Sequence, residues 1–136
     1  MGVAVELGLD KDVRSDLELA DAIRSGLSHR ALEHVLETGR LSPTEAYELV
    51  GSRRTLLRKR RAGKPLSAGE SDRLARIVRL ILRAEEALGD RDKAHRWLRK
   101  ENRALDGRRP LALLASDVGA RAVEQVLGRI EHGVYS

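Results

Sequence analysis

The feature that most constrains this chain is the stretch 41–69, where helix-start and helix-stop signals alternate at short spacing. Ser42 is followed three residues later by Glu45, which is a capping box, and Pro43 falls at the first helical position, where its missing N–H is not needed. Gly51 then ends the helix, because glycine tolerates the positive φ of a sharp turn. We therefore expect a short helix that starts at Ser42 and a tight turn at Gly51.

A second helix follows this turn. Ser52 is placed to cap it, Leu56 and Leu57 face inward, and the other faces carry mostly basic side chains. Two short helices joined by a glycine turn indicate a helix-turn-helix, and the second is the candidate recognition helix. The residues predicted to bind DNA, the last two of them through phosphates, are Arg53, Arg54, Thr55, Arg58, Lys59, Arg61 and Lys64.

The charge of this stretch separates it from the rest of the chain. Between Glu48 and Glu70 there are seven Lys or Arg residues and no acidic residue, whereas the whole chain has 26 basic and 21 acidic residues. The remainder, with 19 basic residues against 21 acidic ones, is slightly acidic. Arginine suits a DNA-facing helix, because its planar guanidinium binds phosphate or the O6/N7 edge of guanine, and neutralised phosphates release counterions. The basic cluster lies on the helix that the turn pattern marks as the candidate recognition helix. This favours DNA binding over a basic helix that only faces solvent.

Composition indicates an all-α protein with an aliphatic core. The chain of 136 residues is long enough for one compact domain or two small lobes, phenylalanine is absent, and helix-forming residues predominate. The absence of cysteine excludes disulfides and thiolate chemistry. No apolar run is long enough to cross a bilayer and the N-terminus lacks a signal-peptide core, so we expect a cytoplasmic protein with no membrane partner.

The sequence divides into three parts by its pattern. Residues 1–14 show no sustained periodicity and are expected to be a mobile arm. Residues 15–89 contain the helix-turn-helix and its supporting helices, and residues 90–136 form a differently built module. Its last helix is predicted to be capped by Ser116 or Asp117, and Gly119 on that helix would allow another backbone to approach closely.

The supporting helices are predicted from caps and apolar spacing. The first is capped by Ser15 or Asp16, and its inward side chains are expected to be Leu17, Ala20 and Ile23. A long helix, roughly 68–88, follows a second capping box formed by Ser67 and Glu70.

No constellation of residues supports catalysis. His29 and His34 are five residues apart, which does not place them on one helix face for a shared metal, and His95 and His132 have no patterned acidic partners. Each is interpreted as a surface histidine. Trp97 fits the core of the C-terminal module better than an exposed interface anchor, although both interpretations stay open. We expect a protein that is not an enzyme, with no catalytic residue, no metal and no cofactor.

The segment after Asp90 closely resembles the C-terminal toxin-binding domain of the Xre/MbcA/ParS antitoxin family. The shared residues are Trp97-Leu98, Asn102, Ala104-Leu105, Gly107, Pro110-Leu111, Leu114, Gly119-Ala120, Val123, Leu127-Gly128-Arg129-Ile130 and Gly133. Upstream, the residues that resemble the Xre-like half are Arg54-Thr55-Leu56, Leu66-Ser67 and Glu70-Ser71-Asp72-Arg73-Leu74. The chain departs from the family's pattern at Glu101, where proline is usual, and at Asp106, where glycine is common.

The resemblance implies a type II antitoxin whose partner is a RES-domain toxin, an enzyme that depletes NAD⁺. The C-terminal module, residues 90–136, would cover the toxin and its end would obstruct the active-site entrance. The Xre-like half would bind and repress the operon's own promoter as a homodimer on double-stranded DNA. The residues expected to contact the toxin are Arg129, Glu131, Gly133, Val134, Tyr135 and Ser136.

The alternative function is a free-standing helix-turn-helix transcriptional regulator whose C-terminal domain only dimerises. A toxin gene next to this one favours the antitoxin, and its absence favours the regulator. A third class, a small hydrolase or transferase, would need a clustered site that the sequence does not show.

Overall fold

The structure is a computed structural model that describes residues 2–133. These residues form eight α-helices and two short 3-10 helices without any β-strand, which confirms the predicted all-α class. The chain divides between Val78 and Arg79 into two compact units, each with its own core.

The first unit contains five complete helices and the beginning of a sixth, long one. Their bounds are α1 Gly2–Glu6, α2 Asp16–Ser25, α3 His29–Glu37, α4 Pro43–Leu49, α5 Arg53–Ala62 and α6 Ala68–Leu88. The core of this unit is aliphatic, as the composition predicts, and its largest fully buried side chains are Leu7, Leu41, Leu56, Leu66, Leu74, Ile77, Val35 and Val50. The capping signals hold: Ser15, Ser28, Ser42 and Ser52 each accept a hydrogen bond from a backbone N–H in the first turn of their helix.

Residues 2–13 differ from the mobile arm expected from the sequence. They contain α1, and Ala4, Leu7 and Val13 are buried. Glu6 also forms an ion pair with Arg40 at 2.8 Å. A helix of five residues is too short for its periodicity to reveal these contacts from the sequence.

The inward face predicted for α2 is wrong. No residue of α2 is buried, and Leu17 is 80% exposed. Ala20 is exposed too, and Ile23 is half-buried. Helical spacing of apolar residues states which side chains share a face, but it does not show that a neighbour covers that face.

The chain crosses itself where α2 ends and α6 begins. The N–H of Leu66 donates to the carbonyl of Leu27 at 2.8 Å, and the N–H of Leu27 donates to the buried hydroxyl of Ser71 at 2.8 Å. Gly26 has φ +96°, and a Cβ at this position would lie 2.3 Å from the carbonyl oxygen of Leu66. Only glycine fits at position 26 in this crossing. The crossing holds the start of α3 beside the end of the loop that follows α5.

The second unit contains the rest of α6 and the C-terminal helices. Their bounds are α7 Arg91–Arg99, the 3-10 helices Arg103–Leu105 and Pro110–Leu113, and α8 Asp117–Glu131. Both α7 and α8 contact the second 3-10 helix. The close approach predicted at Gly119 is confirmed, since a Cβ there would lie 2.1 Å from the carbonyl oxygen of Leu113. Ser116 caps α8 by accepting from the N–H of Gly119 at 3.0 Å.

The loop after α7 is closed by backbone hydrogen bonds around Asn102. Its N–H donates to the carbonyl of Arg108 at 3.1 Å, and its carbonyl accepts from Gly107 at 2.8 Å. Asp106, where the resembling family commonly has glycine, has φ +57° and keeps the left-handed backbone that glycine would favour.

Candidate nucleic-acid and toxin interfaces

The helix-turn-helix is built as the sequence predicts, from α4, a turn at residues 50–52, and α5. Ser42 and Glu45 form a complete capping box: the N–H of Ser42 donates to Oε1 of Glu45 at 2.9 Å, and the N–H of Glu45 donates to Oγ of Ser42 at 3.2 Å. Ser52 accepts from the N–H of Thr55 at 3.2 Å, and its hydroxyl lies 2.9 Å from Oγ1 of Thr55. Both helices therefore begin at fixed residues.

The reason for glycine at position 51 differs from the one expected. The φ of Gly51 is not positive, so the turn does not need left-handed backbone there. A Cβ would instead lie 2.9 Å from Oε2 of Glu70 and 3.3 Å from Cδ2 of Leu56. Gly51 therefore leaves room for the side chains of Leu56 and Glu70, which would have to shift to admit a Cβ at this position.

Two side chains of α6 hold this turn and the helix that follows. Nε of Arg73 donates to the carbonyl of Val50 at 2.9 Å. Oε1 of Glu70 accepts from Nζ of Lys59 at 2.6 Å and from the N–H of Ser67 at 2.8 Å, and Glu70 is only 5% exposed. Burial disfavours the charged carboxylate, but the hydrogen bonds from Lys59 and Ser67 outweigh it, and the pKa of Glu70 lies below its ordinary value. Glu70 is thus ionised at neutral pH.

The predicted DNA-binding residues fall into two groups. The exposed ones, which form no ion pair with any residue from 2 to 133, are Arg53, Arg54, Arg58, Arg61 and Lys64. Thr55 and Lys59 are half-buried. The ammonium group of Lys59 is bound to Glu70, so in this structure it braces α5 and does not extend to solvent with the arginines. Leu56, fully buried, anchors α5 from its inner side.

The basic surface of α5 continues into a cavity of about 550 Å³ next to the start of α3, lined in part by His29, Glu33, Arg60 and Lys64. Arg60 and Glu33 form an ion pair at 3.0 Å. His29, expected at the surface, is half-buried, and its Nε2 is a buried atom without a hydrogen-bond partner among the described residues. Burial lowers the pKa of His29 below its ordinary value; Glu33 opposes this effect and Arg60 adds to it.

The predicted toxin-binding residues lie at the end of the second unit. Arg129 is exposed on α8, and Gly133 follows the helix with φ +72°. Glu131 is exposed, but both of its carboxylate oxygens accept from Arg83 at 3.0 Å. The other three, Val134, Tyr135 and Ser136, lie outside the described residues.

Around Arg129 the structure shows a feature that the sequence analysis missed. Gln125, Gly128, Arg129 and His132 line a recess of about 470 Å³ on α8, and nothing lies within 4 Å of a Cβ built at Gly128. Nδ1 of His132 lies 2.8 Å from the carbonyl oxygen of Gly128. The helical spacing of these residues was the available signal, since positions three and four apart share a face.

Neither a metal site nor a membrane span is found among residues 2–133. In the described part of the chain, no three His, Cys, Asp or Glu residues are grouped so as to hold a metal ion. None of the described helices is long and apolar enough to cross a membrane. Trp97 is half-buried on α7, beside the fully buried Leu98.

Comparison with known proteins agrees with this arrangement. Residues 18–79 match the family model of the antitoxin Xre-like helix-turn-helix domain, and residues 83–133 match that of the antitoxin Xre/MbcA/ParS C-terminal toxin-binding domain. The first match contains the complete helix-turn-helix, and the second contains α7, both 3-10 helices and α8.

Individual relatives point the same way. The chain is similar to an antitoxin Xre of Pseudomonas putida, with 33% identity over 122 residues that cover 90% of this chain and 76% of the relative. An antitoxin Xre of Yersinia enterocolitica is 32% identical over 120 residues, which cover 87% of this chain and 81% of the relative. An antitoxin Xre of Photorhabdus laumondii is 41% identical over 71 residues, which cover 52% of this chain and 48% of the relative. The chain belongs to the Xre family of antitoxins, which carry a helix-turn-helix domain and a toxin-binding domain and are not enzymes.

Proposed function

We propose that this antitoxin binds and sterically blocks a RES-domain toxin that depletes NAD⁺, and that it represses its own operon by binding the promoter as a homodimer. Antitoxin function follows from the family. The proposal of a RES partner rests on the resemblance of residues 90–136 to the toxin-binding domain of the Xre/MbcA/ParS antitoxins. Binding to promoter DNA assigns the protein to the cytoplasm.

The observation that carries the DNA-binding half of the proposal is the state of the arginines on α5. Arg53, Arg54, Arg58 and Arg61 are exposed and form no ion pair within the described residues, while Leu56 and the Lys59–Glu70 pair fix the helix beneath them. Cations held on a rigid helix and left without acidic neighbours are suited to phosphate and guanine contacts. A dimer would double these contacts on a palindromic site.

In the toxin-binding half of the proposal, the end of α8 and the residues after it obstruct the entrance to the toxin's active site. Arg129 is exposed beside the recess on α8, and the ion pair between Arg83 and Glu131 fixes the last turn of the helix from which residues 134–136 continue. These residues, with Gly133, are proposed to contact the toxin. Arg129 supplies the exposed cation of the site.

One pair of variants tests both halves in the full chain. Arg54→Glu with Arg58→Glu should abolish retention of a promoter fragment at moderate salt while the toxin still co-purifies. Removal of residues 134–136 should abolish protection of cells from the toxin while promoter binding persists. A matched control for the charge reversal is Lys11→Glu with Arg24→Glu, two exposed cations outside α5.

The result can contradict the proposal in three ways. Unchanged promoter affinity in the α5 variant would exclude α5 as the reader. Full protection by the shortened chain would exclude the blocking role of its end. If no toxin is encoded beside the gene and none co-purifies, the free-standing regulator is favoured instead.

A further inference from the structure

A second group of exposed cations lies on the other unit, away from the helix-turn-helix in sequence. Residues 91–109 contain eight Lys or Arg and three Asp or Glu. Lys93 and Arg96 lie three residues apart on one face of α7, and Lys100 directly follows the end of the helix. Arg103, Arg108 and Arg109 come from the loop that follows. We call these six residues, all of them exposed, the α7 surface.

The backbone beneath the α7 surface is fixed. The inner face of α7 is anchored by Ala94 and Leu98, both fully buried. Hydrogen bonds between Asn102 and residues 107 and 108 close the loop, and the side chain of Asn102 accepts from the N–H of Ala104 at 2.9 Å. The cations therefore project from a defined scaffold.

What distinguishes these cations from others in the same unit is the absence of acidic partners. Arg79 pairs with Glu124 at 2.9 Å, and Arg83 binds Glu131 with two hydrogen bonds of 3.0 Å. Among residues 2–133, by contrast, none of the six residues of the α7 surface has an ion-pair partner. Exposed cations without acidic partners attract a polyanion.

The composition of the surface indicates which kind of polyanion it fits. The exposed residues from 91 to 109 include no large apolar side chain, whereas the centre of a protein–protein interface is apolar and depleted of charged residues. Phosphate contacts need cations and no apolar centre. The α7 surface supplies six exposed cations between positions 93 and 109, each able to contact a phosphate.

We propose that the α7 surface is a second DNA-binding surface, which contacts backbone phosphates of duplex DNA without reading sequence. The toxin-binding domain of this antitoxin would thereby add sequence-independent affinity to the binding supplied by α5. The inference stands apart from the assignment of α5 as the reader, because it concerns different residues on the other unit.

The salt dependence of binding by the full chain tests this inference. The first variant carries Lys93→Gln, Arg96→Gln and Lys100→Gln, and the second carries Arg103→Gln, Arg108→Gln and Arg109→Gln. The control, Lys11→Gln with Arg14→Gln and Arg24→Gln, removes the same charge from exposed positions of the first unit, among the acidic residues around α2. Affinity is measured by fluorescence anisotropy on the promoter and on a duplex of unrelated sequence, from about 50 to 200 mM salt.

Log K falls with log salt, and each α7 variant should make this negative slope shallower by up to about 3, at about 0.9 per lost phosphate contact. The two duplexes should lose affinity by the same factor, and the control should keep its slope. In an Arg54→Gln, Arg58→Gln background, promoter preference is expected to fall, while the remaining binding should still depend on the α7 surface. If this background loses its preference for the promoter but its remaining binding still depends on the α7 surface, the two DNA surfaces act separately.

Three outcomes would overturn the inference. An unchanged slope in both α7 variants would show that these cations do not contact DNA. An equal loss in the control would assign the effect to net charge. Retained DNA binding with loss of the co-purifying toxin would assign the α7 surface to an acidic protein partner. Circular dichroism of each variant shows whether the helices are intact, so that a misfolded variant is not counted.

Discussion

Glu70 and Lys59 join the recognition helix to the helix after it: the carboxylate of Glu70 accepts from the ammonium group of Lys59 at 2.6 Å and, at the same oxygen, from the N–H of Ser67. The carboxylate is nearly buried, and a Cβ at position 51 would lie against its second oxygen. One side chain therefore caps α6, holds α5 and packs against the turn between α4 and α5.

Replacing this carboxylate should destabilise the first unit. We expect Glu70→Gln to lower the free energy of unfolding by about 1 to 3 kcal/mol, since it weakens a charged hydrogen bond and leaves Lys59 without its counter-ion. Lys59→Met should cost less, because Glu70 keeps its bond from Ser67. Urea unfolding of the two single variants and the double variant measures the coupling. Additive effects would show that the ion pair does not contribute.

Gly119 and Gly128 provide a matched pair of glycines on α8. Gly119→Ala should lower the stability of the second unit by about 1 to 3 kcal/mol or more, because its Cβ would meet a backbone carbonyl that is unable to move freely. Gly128→Ala places a methyl group in open space and should raise stability by up to about 1 kcal/mol through better helix propensity. Thermal unfolding followed by circular dichroism distinguishes the two variants. Similar stabilities of the two would contradict the close contact with Leu113.

The stability of the protein should fall on mild acidification because of His29. Burial keeps the pKa of His29 lower in the folded state than in the unfolded state, so the unfolded state takes up the proton first. Stability should therefore decrease as the pH falls below about 6.5. Glu70, whose pKa is also lowered, acts in the same direction but only below about pH 4.3, its ordinary pKa.

The variant His29→Gln separates the two effects, because glutamine stays neutral at every pH. Urea unfolding at about pH 7.5 and pH 5.5, on either side of the ordinary histidine pKa, should show a smaller difference for this variant than for the unchanged chain. Glu70→Gln should not make that difference smaller, because the carboxylate of Glu70 raises the pKa of His29 and its removal leaves that pKa lower still. An equal loss in the unchanged chain and in His29→Gln would exclude the histidine as the cause.

Glu131 is bound by Arg83 of its own unit, so its replacement can affect toxin binding through the position of the end of α8. If Glu131 acts by positioning the end of α8, Arg83→Gln and Glu131→Gln should weaken toxin association equally, and the double variant should be no worse than either. The ion pair is half-exposed, so each change should lower stability by only about 0.2 to 1 kcal/mol. Toxin affinity that falls for Glu131→Gln alone would indicate a direct contact.

The local signals in the sequence predicted helix starts well. The caps at Ser42 and Ser52, the capping box of Ser67 with Glu70 and the extent of α6 all depend on residues a few positions apart, which is the range over which such signals act. The backbone approach at Gly119 was likewise predicted from the small residue itself.

The remaining features depend on contacts between distant parts of the chain. Gly51 faces Glu70, nineteen residues later, so the reason for the glycine was not visible in the turn. Leu17 lies on a helix whose face is left uncovered. The α7 surface does not stand out in the net charge, because the chain outside the basic stretch is slightly acidic overall and its acidic residues offset these cations.

The crossing of Gly26 and Leu27 with Leu66 means that α3, α4 and α5 leave and re-enter the fold at one point. The segment from α3 to α5 is thus held at both ends, so substitutions among the exposed side chains of α5 should not alter where the segment is attached. If α5 reads DNA as proposed, its sequence preference can change while the rest of the first unit keeps its fold.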